Sequence, residues 1–257
     1  MQNYIDIQNI REQNKIGLET YFLDKTNMFD IAIDKLIEDL KTGINNSHEQ
    51  FDNWNELKET YPKRYAELVE EAERYEINID HQKYDYILDI IHNQEQLLSL
   101  IEMKVIYAFK SLEIHIKNLL KASFNLKSTK DFYKWDNLIK FLEDKNIQVK
   151  TLNSYNEIVQ LKSVNNAIKH SNDYEVTLTS IQEFKTSDKL TYAKVDKFYK
   201  RIKDKPNHFL QELISVIYNE LYEFDDLKIK DIAESLALRM KKEDAKKLIL
   251  KIEEQYE

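Results

Sequence analysis

An all-α fold carrying one small β-hairpin follows from three features of this chain. Gly 2 and Pro 2 in 257 residues leave almost none of the two residue types that interrupt helices. Apolar residues recur at three- and four-residue spacing along most of the length, as they do on one face of a helix. A single stretch, Tyr174-Glu-Val-Thr-Leu-Thr-Ser-Ile181, alternates apolar and polar instead, as a half-buried strand does. The scarcity of glycine also excludes chemistry: without G-x-G-x-x-G or G-x-x-x-x-G-K-[ST] the usual backbone cradles for dinucleotides and nucleoside triphosphates are absent.

The elements follow in order. From Ile5 to about Gly43 the stripe Phe29, Ile33, Leu36, Ile37 and Leu40 predicts one or two helices, with Gly43 as a C-terminal stop. Ser47 and Gln50 have the spacing of a capping box for the next helix. Pro62 suits the first turn of a helix carrying Tyr65, Leu68, Val69 and Ala72. Residues 1–79 thus read as an N-terminal helical appendage. Asp80 is the expected N-cap of the longest periodic stretch, about His81 to Phe124. Its seam is Ile101, Val105, Ala108, Leu112, Ile116 and Leu119, and its length leads us to expect a break near His92–Gln96.

A short amphipathic helix with Tyr133, Leu138, Phe141 and Leu142 comes next. Thr151 or Asn153 then caps a helix through Tyr155, Ile158, Leu161, Val164 and Ile168 to His170. Lys189–Ala193 would return as the hairpin mate of the 174–181 strand. A long helix follows from about Val195, interrupted near Pro206, with Phe209, Leu213, Val216, Ile217, Leu221 and Phe224 inward. This central bundle spans 80–225. The tail, 226–257, makes two short helices, with Asp225-Asp226 read as an N-cap. Its basic amphipathic second helix (Lys241, Lys242, Lys246, Lys247, Lys251) has a faint helix-turn-helix cadence. The turn is too long and lacks Gly, so a docking helix pair is the reading we adopt.

A net charge of −8 argues against a protein that coats nucleic acid generally, because such binding draws on Lys and Arg neutralising phosphates; local basic patches remain open. Without cysteine there is no disulfide, thiolate nucleophile or cysteine-based metal site, and a reducing compartment is permitted. The six His include no H-E-x-x-H pair, so neither a metal nor a cofactor is expected. No run reaches the roughly 18–20 apolar residues of a membrane span. The start, MQNYIDIQNIREQ, lacks the regions of a signal peptide, so the expected location is the cytoplasm, away from membranes.

The stretch Lys162 to Ser171, KSVNNAIKHS, spends polar residues on a helix. At about 100° per residue, Leu161, Val164 and Ile168 share one side, and Lys162, Asn166, Lys169 and His170 share another. Asn165 and Asn166 are poor helix formers and gain little unless their amides bond something specific. For His170 the alternative is a histidine placed favourably at a helix C-terminus. Glu113 in SLEIHIK either faces this stripe and holds the histidine tautomer or pairs with Lys117 one turn on.

Taken in order, AFKSLEIHIKNLL, the short helix beginning KWDNLIKFL, the phrase SYNEIVQLKSVNNAIKHS and a β-containing excursion before a long helix resemble the HEPN superfamily. Its signature Arg-Asn-x-x-x-His ends the last core helix of an up-down bundle. Here Asn165-Asn166-x-x-x-His170 keeps the spacing, with Asn165 where catalytic members carry Arg. In active members the resemblance implies metal-independent RNA cleavage in a groove between two protomers, the histidine working as general acid or base and the arginine holding phosphate. An asparagine supplies no charge. The expectation is therefore an RNA- or nucleotide-binding or interaction module of the bacterial toxin or phage-defence kind. It would be a homodimer through the bundle and could meet a protein partner such as an antitoxin. The alternative is a metal-independent endoribonuclease using His170 and Asn166, with Lys169 or Lys162 in place of the missing arginine. Asn165, Lys162 and Glu113 complete the candidate site.

Overall fold

The computed structural model describes residues 2–20, 28–170, 178–185 and 190–256, and every regular element among them is helical. The α-helices are α1 Gln2–Thr20, α2 Met28–Thr60, α3 Pro62–Arg74, α4 Ile79–Ser123, α5 Trp135–Glu143, α6 Tyr155–His170, α7 Tyr192–Ile202, α8 Lys205–Tyr222, α9 Asp226–Ala237 and α10 Lys242–Glu253. Short 3₁₀ turns occupy Lys130–Tyr133, Val149–Thr151 and Gln182–Phe184. Among the described residues no helix is long and apolar enough to cross a membrane.

With both glycines inside helices, other residues end them. Asn125 and Asn146 take the left-handed conformation (φ 48° and 62°) just past α4 and α5, and asparagine tolerates it better than most residues. In each case the next amide reaches back into the last turn, Leu126 N–H to Lys121 O at 3.2 Å and Ile147 N–H to Leu142 O at 2.9 Å. Glu76 (φ 61°) does the same after α3, through Ile77 N–H to Ala72 O at 3.0 Å. Pro62 opens α3 as expected. Pro206 lies in the first turn of α8, where its missing N–H costs no helical bond. Asp225 caps α9, accepting from Lys228 N–H at 2.8 Å.

Several local expectations are corrected. Gly43 and Ser47 lie inside α2, which runs unbroken from Met28 to Thr60. A Cβ on Gly43 would sit 3.2 Å from the Asn93 amide, so the missing side chain lets α4 approach rather than stopping a helix. The cap of α4 is Asn78, whose Oδ1 accepts from His81 N–H at 3.0 Å; Asp80 lies in its first turn. The helix continues through His92–Gln96 for 45 residues. Leu36, Tyr133 and Phe224 are exposed, and Phe29 and Ile5 have side chains outside the described residues.

The hairpin is not seen among the described residues. Of the expected strand, Leu178 to Ile181 form a bend and turn; 174–177 and Lys189 lie outside the described residues. Thr191 in the expected mate is instead the N-cap of α7, accepting from Lys194 N–H at 3.5 Å. From there Val195, Phe198, Tyr199 and Ile202 are buried at helical spacing, and burial along a period of 3.6 outweighs a short alternation.

The chain divides into two compact units, each assembled from separate segments: 1–24, 112–156 and 207–257 in the first, 25–111 and 157–206 in the second. The first has Leu112, Ile116, Leu119 and Leu120 of α4, Leu138 and Leu142 of α5, and Phe209, Leu213 and Ile217 of α8 almost fully buried. Phe141 meets Phe124 edge-on at 5.4 Å and Phe132 at 5.1 Å. Asn153 closes the unit polarly, its N–H and Nδ2 donating to the two carboxylate oxygens of Glu212 at 2.9 and 2.6 Å.

In the second unit α2 runs antiparallel to the first half of α4: Lys104 reaches Asp34, Asn93 lies by Gly43, and Lys83 donates to Asn55. Ile33, Ile37 and Leu97 make the centre of this pairing, with Leu40, Ile44, Leu100 and Tyr192 around it. Trp54 holds Tyr65 of α3 edge-on at 6.2 Å.

Candidate functional site

The site helix α6 earns its place by its apolar face: Ile158, Leu161 and Val164 are fully buried and Ala167 nearly so. Asn165 falls four residues after Leu161 and seven after Ile158, so it belongs to that face by phase. Its side chain is buried, at 1% exposure. Asn165 Nδ2 donates to Asn166 Oδ1 at 3.2 Å, while Asn165 Oδ1 is buried without a hydrogen-bond partner among the described residues. Such an acceptor forfeits its hydration without replacement.

The rest of the stripe divides differently. Asn166, Lys169 and His170 are exposed and Lys162 is half-buried. These four occupy the last three turns of one helix, where the unsatisfied carbonyls of the C-terminus favour the positive charge of Lys169. The exposed group can offer phosphate or a polar partner one ammonium, one amide and one imidazole, with Lys162 alongside. Glu113 belongs to the other unit and accepts from Lys117 Nζ at 2.8 Å, the i, i+4 pair that was its plainer reading.

Two charge clusters in the second unit were not singled out from sequence. In the first, Arg201 of α7 grips the nearly inaccessible carboxylate of Glu183 with a two-pronged contact, Nε to Oε1 at 2.8 Å and Nη2 to Oε2 at 2.9 Å. The same Nη2 donates to Gln160 Oε1 on α6 at 2.9 Å. Burial alone would push the Glu183 carboxyl up; the hydrogen bonds from Arg201, Gln182 and its own backbone amide outweigh it, and the group ends below its ordinary value of 4.5. This clamp ties residues 178–185, α6 and α7 together behind the exposed stripe.

The second cluster is Lys104, Asp30, Asp34 and Tyr199. Lys104 is buried, donates to Asp34 Oδ1 at 2.7 Å and lies 4.8 Å from the centroid of the Tyr199 ring. The Tyr199 hydroxyl reaches both Asp30 oxygens at 2.8 Å. Burial raises the Asp30 carboxyl, against the Tyr199 hydroxyl and Lys104, and burial likewise raises the Tyr199 phenol. Lys104 could have been noticed, since it sits three residues after Ile101 and beside Val105 in the seam of α4. Its partners are 70 or more positions away and leave no local signal.

Among the described residues, no three His, Asp or Glu side chains converge as metal ligands would. No protein-family model, no curated protein and no solved structure matches this chain.

Proposed function

We propose that this chain is a HEPN-like binding module that takes RNA or a nucleotide on Lys162, Asn166, Lys169 and His170 without cleaving it, in a bacterial toxin or phage-defence setting. The observation that carries this reading is the split within the asparagine pair. Asn165, at the position where catalytic HEPN members have arginine, is buried, whereas Asn166, Lys169 and His170 face outward. A side chain buried at position 165 would not be presented to a phosphate, and asparagine carries no charge to steady a cleavage transition state. Hydrogen bonds and one or two cations remain, which suffice for modest affinity.

The test is fluorescence anisotropy with a short labelled single-stranded RNA, with adenine nucleotides as competitors, beside a gel assay for cleavage. Binding at micromolar concentration is expected, weakened about fivefold by Lys169→Ala or His170→Ala, a loss of about 1 kcal/mol for one surface contact. The RNA stays intact. Absence of binding to both ligands overturns the proposal. Cleavage abolished by His170→Ala and weakened by Lys169→Ala or Lys162→Ala would establish the endoribonuclease instead.

A further inference from the structure

Helices α9 and α10 form a hairpin in which no residue is buried. On α10, Ile249 and Ile252 stand half-exposed at 56% and 50%. With the partly covered Ala245 and Leu248 they fall on one continuous face, flanked by Lys242, Lys246 and Glu253 on one side and by Asp244 and Lys251, which pairs with Glu254, on the other. A groove of about 570 Å³ runs along α9. Its floor is Leu227, Ile232 and Leu236, and the acids Glu220, Asp225 and Asp231 stand along it. Lys228 anchors α9, donating to Asn219 O at 3.3 Å, Glu223 O at 3.0 Å and the Glu220 carbonyl. The groove is thereby fixed to the end of α8.

We infer that this hairpin is a self-association surface, in which α10 of a second copy lies in the acidic-rimmed groove of the first and the reverse contact is made by symmetry. Three features select a second copy as occupant. The ridge has Lys242 and Lys246 together along one edge and the groove has the acids Asp225 and Asp231 beside the Lys228–Glu220 pair, so each chain carries both halves of a complementary pair, as a two-fold interface requires. From Asp225 to Tyr256 the chain holds eight basic and eight acidic side chains, and this neutral segment lets two copies approach although each has a net charge of −8. The exposed apolar residues of groove and ridge, Leu227, Ile232, Leu236, Ile249 and Ile252, present roughly 500 Å² per copy, to which the charged rims add, against about 800 Å² per partner in a standard interface.

Sedimentation velocity on the full chain at micromolar concentration tests this. The expected species is a dimer of the 30.9 kDa chain. Ile249→Glu with Ile252→Glu should give a monomer with unchanged helical circular dichroism, since both side chains face solvent in one copy. Asp231→Lys, which alters only the groove rim, should weaken the dimer at least tenfold, and decides the matter if the double variant fails to fold. A wild-type chain that stays monomeric overturns the inference, as does a dimer that survives these substitutions.

Discussion

Asn165 is the residue on which the two readings of the α6 helix separate. The resemblance to the HEPN signature would make it part of a site, but its phase puts it among Ile158, Leu161 and Val164 in the core. A buried amide with one donor satisfied and its oxygen without a partner among the described residues is less stable than an apolar side chain of similar shape. Asn165→Leu is therefore expected to raise stability by about 1 kcal/mol, read as a higher urea midpoint at unchanged slope, and to leave RNA affinity as it was. A fall in stability would mean that the amide oxygen has a water partner in solution; a fall in affinity alone would return Asn165 to the binding surface.

The elements α6 and α7 and the segment 178–185 depend on the Arg201–Glu183–Gln160 clamp. The Glu183 side chain is almost wholly enclosed, so removing its charge leaves the guanidinium facing a neutral group, and Glu183→Gln should cost about 3 kcal/mol at neutral pH. The pH dependence has a definite sign. Glu183 titrates lower folded than unfolded, so its contribution is full above the ordinary carboxylate range and fades as pH falls through its folded value. Urea midpoints measured from pH 7 to pH 3 should fall more steeply for the wild type than for Glu183→Gln, the two converging in acid. Parallel curves would show that the clamp adds nothing.

For the molecule as a whole, the acidic balance sets the conditions under which the proposed site can work. A chain of net charge −8 repels RNA at long range, and within the proposed site Lys162, Lys169 and a protonated His170 would oppose that locally. With about two or three phosphates neutralised, log K against log salt should have a slope of about −1.4 to −2.1 for a single strand. Anisotropy titrations between low and physiological salt measure it. A much steeper slope would point to a larger basic surface than the α6 stripe.

The amino-acid order alone specified the all-α class, though with a hairpin not seen among the described residues, because helix period, the two prolines and the Asp225 cap act within a few residues of one another. Pro62, Pro206, the tail helices and the buried seam of α4 at Ile101, Val105, Leu112, Ile116 and Leu119 were legible for that reason. What packing settled are the choices that local pattern leaves balanced. Gly43 lies within α2 and lets a neighbouring helix approach, where local pattern read it as a stop. Thr191 starts a helix because Val195, Phe198 and Ile202 gain more by burial along a helix face than by alternation. Asn165 points inward with its apolar neighbours while Asn166 points out. The charged clusters of Arg201 with Glu183 and of Lys104 with Asp34 join residues 18 and 70 positions apart. No periodicity encodes such pairs, since they exist only once the segments that carry them have folded together.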